Sequence, residues 1–199
     1  ATYAASDFTL VELDDAPDPA FNVHWAGWDR SPADATSAVA IHHPNTDEKR
    51  ISFENDATTT TSYYGTSVPG NGTHIRVTDW DLGTTEGGSS GSPLFNQDHH
   101  VIGQLHGGDA ACGNDKSDWY GRFSVSWTGG GTPTTRLSDW LDPTSSGVMT
   151  LDGRDQFDFN IVATPETLDV CMSEDAAYTI AVTQETAGYS SPAAYRQGN

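Results

Sequence analysis

Hydrophobic residues along this chain come in short bursts, rarely longer than five, and many alternate with polar neighbours. "SAVAIHH", "THIRVTDW", "HHVIGQLHGG" and "GRFSVSW" are rich in β-branched and aromatic residues, and "FNVHWAG" has the same look. Gly, Asp, Asn, Ser, Thr and Pro separate the bursts, which is the pattern of short strands joined by turns. The strand-and-turn rhythm runs from Phe21 to about Asp142 without a linker and predicts one all-β domain. The opening "ATYAASDFTLVEL" already alternates like a strand in mid-domain, so the chain reads as cut at its start.

A helical turn is expected only near the end of this domain. In "TTRLSDWLDPTSSG", Thr135 or Ser138 is placed to cap a turn carrying Leu137, Trp140 and Leu141, which Pro143 stops. A polar stretch then marks a boundary near residue 150. Beyond it, "FNIVAT" and "AYTIAVTQ" are two alternating strand candidates, too few to close a sandwich. The expected organisation is a domain over 1–150, then a linker and the broken-off opening of an immunoglobulin-like domain over 151–199.

Charge narrows the function classes. With 28 acidic against 9 basic residues and a formal net charge of −19, the chain lacks the clustered Lys and Arg that a nucleic-acid backbone requires. The acids are spread through loops, as on a surface kept soluble in high salt. No run is long and apolar enough for a membrane span. Cys112 and Cys171 are far apart and lack metal-ligand spacing; each is open to a disulfide with the other or with a segment outside the chain.

The candidate chemistry sits in "EGGSSGSPLF", residues 86–95. A Gly/Ser loop is the bland reading. The sharper one is a serine nucleophile on a tight turn, with small neighbours that let two backbone N–H groups face a developing oxyanion. Ser89, Ser90 and Ser92 are all formal candidates. The spacing Gly-x-Ser-Gly-x-Pro selects Ser90, with the N–H groups of Gly88 and Ser90 as the oxyanion pair. An α/β-hydrolase elbow would read Gly-x-Ser-x-Gly between helical crossovers, and neither is present.

"GSSGSP", "GQLHGG", "IHHPN" with "EKRIS", "NDKSDWYGRF", "SWTGGG" and "TRLSDWLDP" occur in order, and together they resemble the bacterial lysyl endopeptidases, a secreted branch of the trypsin-like serine proteases. The resemblance covers about Ala1 to Gly153. It implies the second Greek-key β-barrel of a trypsin-like fold, cleavage of protein or peptide substrates after lysine, an extracellular location, and neither cofactor nor metal. Asp7, in "SDFTLVEL", matches the family's triad aspartate and Ser90 its nucleophile. The triad histidine is expected in a missing N-terminal half, which becomes a necessary partner, and the isolated fragment is expected to be inactive. His42 and His43 are assigned a loop or structural role.

Two positions depart from the trypsin pattern. The residue before the nucleophile is Ser89 where trypsins carry an acid that pairs with the freed N-terminus, so that ion pair is not expected here. Ser92 replaces a second glycine. For specificity, the resemblance places Asp118 at the floor of the lysine pocket and His106 beside the active site, stacked on an aromatic ring that Tyr63 or Tyr64 must supply. Tyr64, Gly107 and Gly108 join the substrate-binding set, the glycines leaving a strand edge on which substrate can lie. A catalytically inactive homologue acting as a binding module is the rival reading.

Overall fold

The computed structural model describes residues 1–155, 159–164 and 179–184. Its strands are, in chain order, β1 (Thr2–Tyr3), β2 (Phe8–Thr9), β3 (His24–Trp25), β4 (Trp28–Asp29), β5 (Ala38–His42), β6 (Arg50–Glu54), β7 (Thr59–Thr61), β8 (His74–Val77), β9 (Pro93–Asn96), β10 (Val101–Gly108), β11 (Asp118–Arg122), β12 (Thr150–Leu151), β13 (Arg154–Asp155), β14 (Phe159–Thr164) and β15 (Thr179–Gln184). Helices α1 (Phe123–Thr128) and α2 (Ser138–Leu141) are short. The protein is mostly β, as the burst pattern predicts.

The residues fall into two compact units. The first comprises Ala1–Ala16 and Ala26–Gly153; the second comprises Pro17–Trp25 with the described residues from Arg154 onward. In the second unit β3 pairs with β13, and β14 with β15, both antiparallel, so "FNIVAT" and most of "AYTIAVTQ" are strands. The remainder of the expected 151–199 segment, including Cys171, lies outside the described residues.

In the first unit the strands pair in the order β6-β5-β9-β10-β11-β8-β7, antiparallel throughout. Alternation decides which side chains enter the core: on β5, Ala38, Ala40 and His42 are buried while Ile41 faces out. One apolar cluster gathers Ala38, Ala40, Val77, Leu94, Leu105 and Tyr120 from five strands. Burying side chains of the larger kinds among these contributes about 1.5–3 kcal/mol each.

A second cluster corrects the reading of "GRFSVSW" as a strand. Only Gly121 and Arg122 end β11; Phe123–Thr128 is helical. Phe123 and Trp127 stand four apart, on one helical face, and both pack on Trp28, with ring centroids 5.7 and 4.8 Å away. Phe8 and Leu137 complete the cluster. Helix α2 is where a turn was expected, but neither Thr135 nor Ser138 caps it: Leu137 holds the N-cap position, and Thr135 bonds back to Thr132.

The opening segment is a tight hairpin of β1 and β2 rather than one continuous strand, with Asp7 in its turn at φ 51°. Ser6 anchors that turn. Its carbonyl accepts from Gln104 Nε2 at 2.5 Å and its hydroxyl from Ser126 Oγ at 2.9 Å. Gly121 permits the approach, because a Cβ there would overlap the Ser6 carbonyl.

Candidate active site

The segment from Glu86 to Pro93 is a compact loop held from both sides. Gly88 and Gly91 adopt φ of 101° and 83°, the left-handed region that glycine enters without penalty. The Gly91 N–H donates to the Leu105 carbonyl at 2.7 Å, and Leu105 returns a bond to the Ser92 carbonyl at 2.9 Å. Ser89 and Ser92 N–H groups bond within the loop, to Glu86 and Ser89 carbonyls. Among the described residues, the N–H groups of Gly88 and Ser90 donate to nothing. Ser90 itself is exposed.

Ser89 points the other way and is 1% exposed. Its hydroxyl lies 2.8 Å from His42 Nδ1, and His42 Nε2 lies 2.9 Å from Ser52 Oγ. Burial, then the neighbouring His43, pushes the His42 imidazole below its ordinary pKa, so the ring sits here as a neutral hydrogen-bonding strut. A buried Ser89–His42–Ser52 chain thus braces the underside of the loop. The loop role expected of His42 is a specific one, to which sequence offers no pointer, because the partners are 10 and 47 residues away.

None of the seven histidines is hydrogen-bonded to Ser90 among the described residues. His43 lies 3.3 Å from the Asp47 carbonyl, and His100 Nε2 lies 2.9 Å from Asp152. His99 occupies a turn at φ 62°.

Asp7 and His106 do come together: His106 Nε2 is 3.7 Å from Asp7 Oδ2. His106 occupies a β-bulge, where the β10–β11 register shifts between Leu105 and Gly107, and a bulge re-aims the side chain it carries. The ring that stacks on it is Tyr63, with centroids 3.7 Å apart and planes 4° from parallel. Tyr64 does not take that place. It lies over Trp119 instead and donates its hydroxyl to the Gly108 carbonyl at 3.3 Å.

Pairing of β10 with β9 ends at Gln104, so Gly107 and Gly108 are laddered on one side only, by β11, with His106 in the bulge just before them. Across that ladder Gly108 faces Asp118, and a Cβ on Gly108 would strike the Asp118 carboxylate. Asp118 is 1% exposed. Its Oδ2 accepts from Trp80 Nε1 at 2.8 Å and from Thr85 Oγ1 at 2.5 Å. Desolvation raises the pKa of this carboxyl, while the Thr85, Trp80 and Ala110 N–H bonds counter it. Tyr120 OH is also buried, and desolvation pushes its pKa well up while the neighbouring Ser92 hydroxyl counters it. Trp80 and Thr85 are partners of Asp118 that sequence reading missed; each becomes visible only once β8 and the 80–86 loop are folded against β11.

The arrangement can be set against known proteins. The lysyl endopeptidase C-terminal domain family matches residues 1–121, more than half of the chain. The chain belongs to that family. A lysyl endopeptidase of Pseudomonas aeruginosa is 35% identical over 129 residues, which is 61% of this chain and 26% of the relative. The chain therefore spans about a quarter of that relative's length. The family match takes in Asp7, the Ser90 loop, His106 and Asp118, all of which lie within residues 1–121. No described helix is long and apolar enough to cross a membrane.

Proposed function

We propose that this chain is the part of a trypsin-like serine endopeptidase that carries the nucleophile, the orienting aspartate and the lysine pocket. The observation that carries the reading is the loop at Ser90: an exposed hydroxyl flanked by the disengaged N–H groups of Gly88 and Ser90, while the neighbouring amides of Ser89, Gly91 and Ser92 are all bonded. Two free backbone donors beside a serine are the groups a tetrahedral oxyanion requires.

In this reading Ser90 Oγ attacks the backbone carbonyl carbon of a lysine residue, and a histidine from the family's N-terminal half takes its proton. The negative oxygen sits between the Gly88 and Ser90 amides. The same histidine then protonates the leaving amine, water displaces Ser90 from the acyl-enzyme, and Asp7 orients and stabilises the imidazolium. Substrate backbone adds to the one-sided edge at His106–Gly108, beside Tyr64. Its lysine ammonium offsets the desolvation of Asp118, whose burial is otherwise unfavourable.

The first unit corresponds, in the same proposal, to the second Greek-key barrel of the protease over 1–150, and the hairpin of β14 and β15 to the opening of an immunoglobulin-like domain within 151–199. The protein is secreted, and its partners are peptide substrates and the N-terminal half. Supplying that half in trans should confer turnover of a lysyl ester, with much slower turnover of the uncharged norleucyl ester, whose side chain matches the lysine carbon chain without the ammonium. Equal rates on the two esters would remove Asp118 from the pocket.

A further inference from the structure

Behind His106 runs a chain of hydrogen bonds whose direction can be read from one end. Asn71 Oδ1 lies 3.1 Å from the Thr73 backbone N–H, which can only donate, so that atom is an acceptor. Thr73 Oγ1 lies 2.7 Å from the same oxygen and must give it its single proton. The next contact, 2.7 Å between Thr73 Oγ1 and His74 Nδ1, then requires the proton on His74 Nδ1. His74 is 2% exposed, and burial lowers its pKa to about 4, so its other nitrogen is bare near neutral pH. His74 Nε2 is 2.9 Å from His106 Nδ1, and that bond needs a donor from His106.

We infer that His74 is a positioning residue that fixes His106 with its proton on Nδ1, leaving Nε2 as the basic nitrogen facing Asp7. A neutral His106 then presents a lone pair to the Asp7 carboxylate across 3.7 Å and gives it no hydrogen bond. Asp7 is bonded by His106 only when the ring takes up a second proton. Free imidazole carries its proton on either nitrogen, so the selection comes from His74. The groups facing the ring are Asp7 and His74 at its edges and Tyr63 on its face.

The catalytic meaning rests on the proposed function: with His106 neutral, Asp7 keeps its lone pairs for the imidazole N–H of the missing base. Protonating His106 would introduce a competing donor. The hydrogen-bond direction itself does not depend on that reading, and its test involves no catalysis.

The test is a long-range 1H–15N correlation spectrum of the uniformly 15N-labelled 199-residue chain, at a pH where the rings are neutral, with His74→Gln and His106→Gln used for assignment. Both His74 and His106 should appear as the Nδ1–H form. An Nε2–H form at His106, or an averaged mixture, overturns the inference. Thr73→Val, close in shape and placed at the half-buried edge, removes the acceptor for His74 Nδ1. It should reverse the chain, shifting both rings to the Nε2–H form. An unchanged His106 spectrum in a folded Thr73→Val chain would equally overturn it. Loss or gain of lysyl ester turnover upon complementation reports on the proposed function alone.

Discussion

Protonation of His74 should set much of the acid sensitivity of this fold. The unfolded imidazole takes up a proton near 6.5, whereas burial and then the charge of neighbouring His106 hold the folded one to about 4. Between these values the unfolded chain binds a proton that the native chain refuses, so stability rises with pH across the window and is lost as pH falls through it. Above about 6.5 the residue contributes no pH dependence, and below about 4 there is no further loss. The full interval corresponds to ~3 kcal/mol. Relaxation and water penetration around the buried ring on protonation take the observable part to about 2 kcal/mol. The perturbation is His74→Gln, which keeps a donor and an acceptor but does not titrate. The assay is urea unfolding followed by tryptophan fluorescence at about pH 7 and about pH 4, comparing each protein's loss of stability between the two. Contributions from His42, whose pKa is also lowered, and from Asp118 and Glu54, whose pKa values are raised, are common to both proteins and cancel in the comparison. The variant should lose ~2 kcal/mol less than the native chain. Equal losses in the two would refute the reasoning, since the buried ring would then titrate as it does in water.

Three further outcomes follow from the packing. Asp118→Asn, in the chain complemented by the N-terminal half, should cut kcat/KM on lysyl esters by roughly 3–5 kcal/mol of transition-state stabilisation, because in the proposed pocket it removes the carboxylate that meets the substrate ammonium. Gly121→Ala forces a methyl group against the Ser6 carbonyl and should displace the hairpin turn that presents Asp7. Thermal unfolding should show the loss of stability, and cross-peaks of Ser6 and Asp7 should shift more than those of the Ser90 loop. Trp127→Ala empties the centre of the Trp28–Phe123 cluster and should cost about 3–5 kcal/mol in denaturant titration.

The strands were legible where alternation is strong. "SAVAIHH" buries Ala38, Ala40 and His42 in the expected period of two. "GRFSVSW" misleads because its apolar residues fit either period over so short a run, and the aromatic pocket around Trp28 decides for the helix. The candidate site divides in the same way. Ser90, Asp7, His106 and Asp118 enter the candidate site by motif, each from its own short stretch of sequence. Residues that reach them across the fold do not: Trp80 to Asp118, His74 to His106, and Ser6 beneath Asp7 are joined by contacts spanning 38, 32 and, through Gln104, 98 positions. The choice between Tyr63 and Tyr64 is likewise conformational. Tyr64 adopts φ 53° and turns its ring to Trp119, which leaves Tyr63 to cover the imidazole.

Ser90, proposed as a nucleophile whose base is not among the histidines of this chain, can be probed with a fluorophosphonate, read as modification of the Ser90 peptide by mass spectrometry. The isolated chain should remain unlabelled, because no described imidazole hydrogen-bonds to Ser90 and the oxyanion donors alone supply only a residual acceleration, roughly 10³–10⁴ over water. Adding the N-terminal half should bring stoichiometric labelling at Ser90 and at no other serine. Prompt labelling of Ser90 in the isolated chain, or none at all in the complemented protein, would contradict the account.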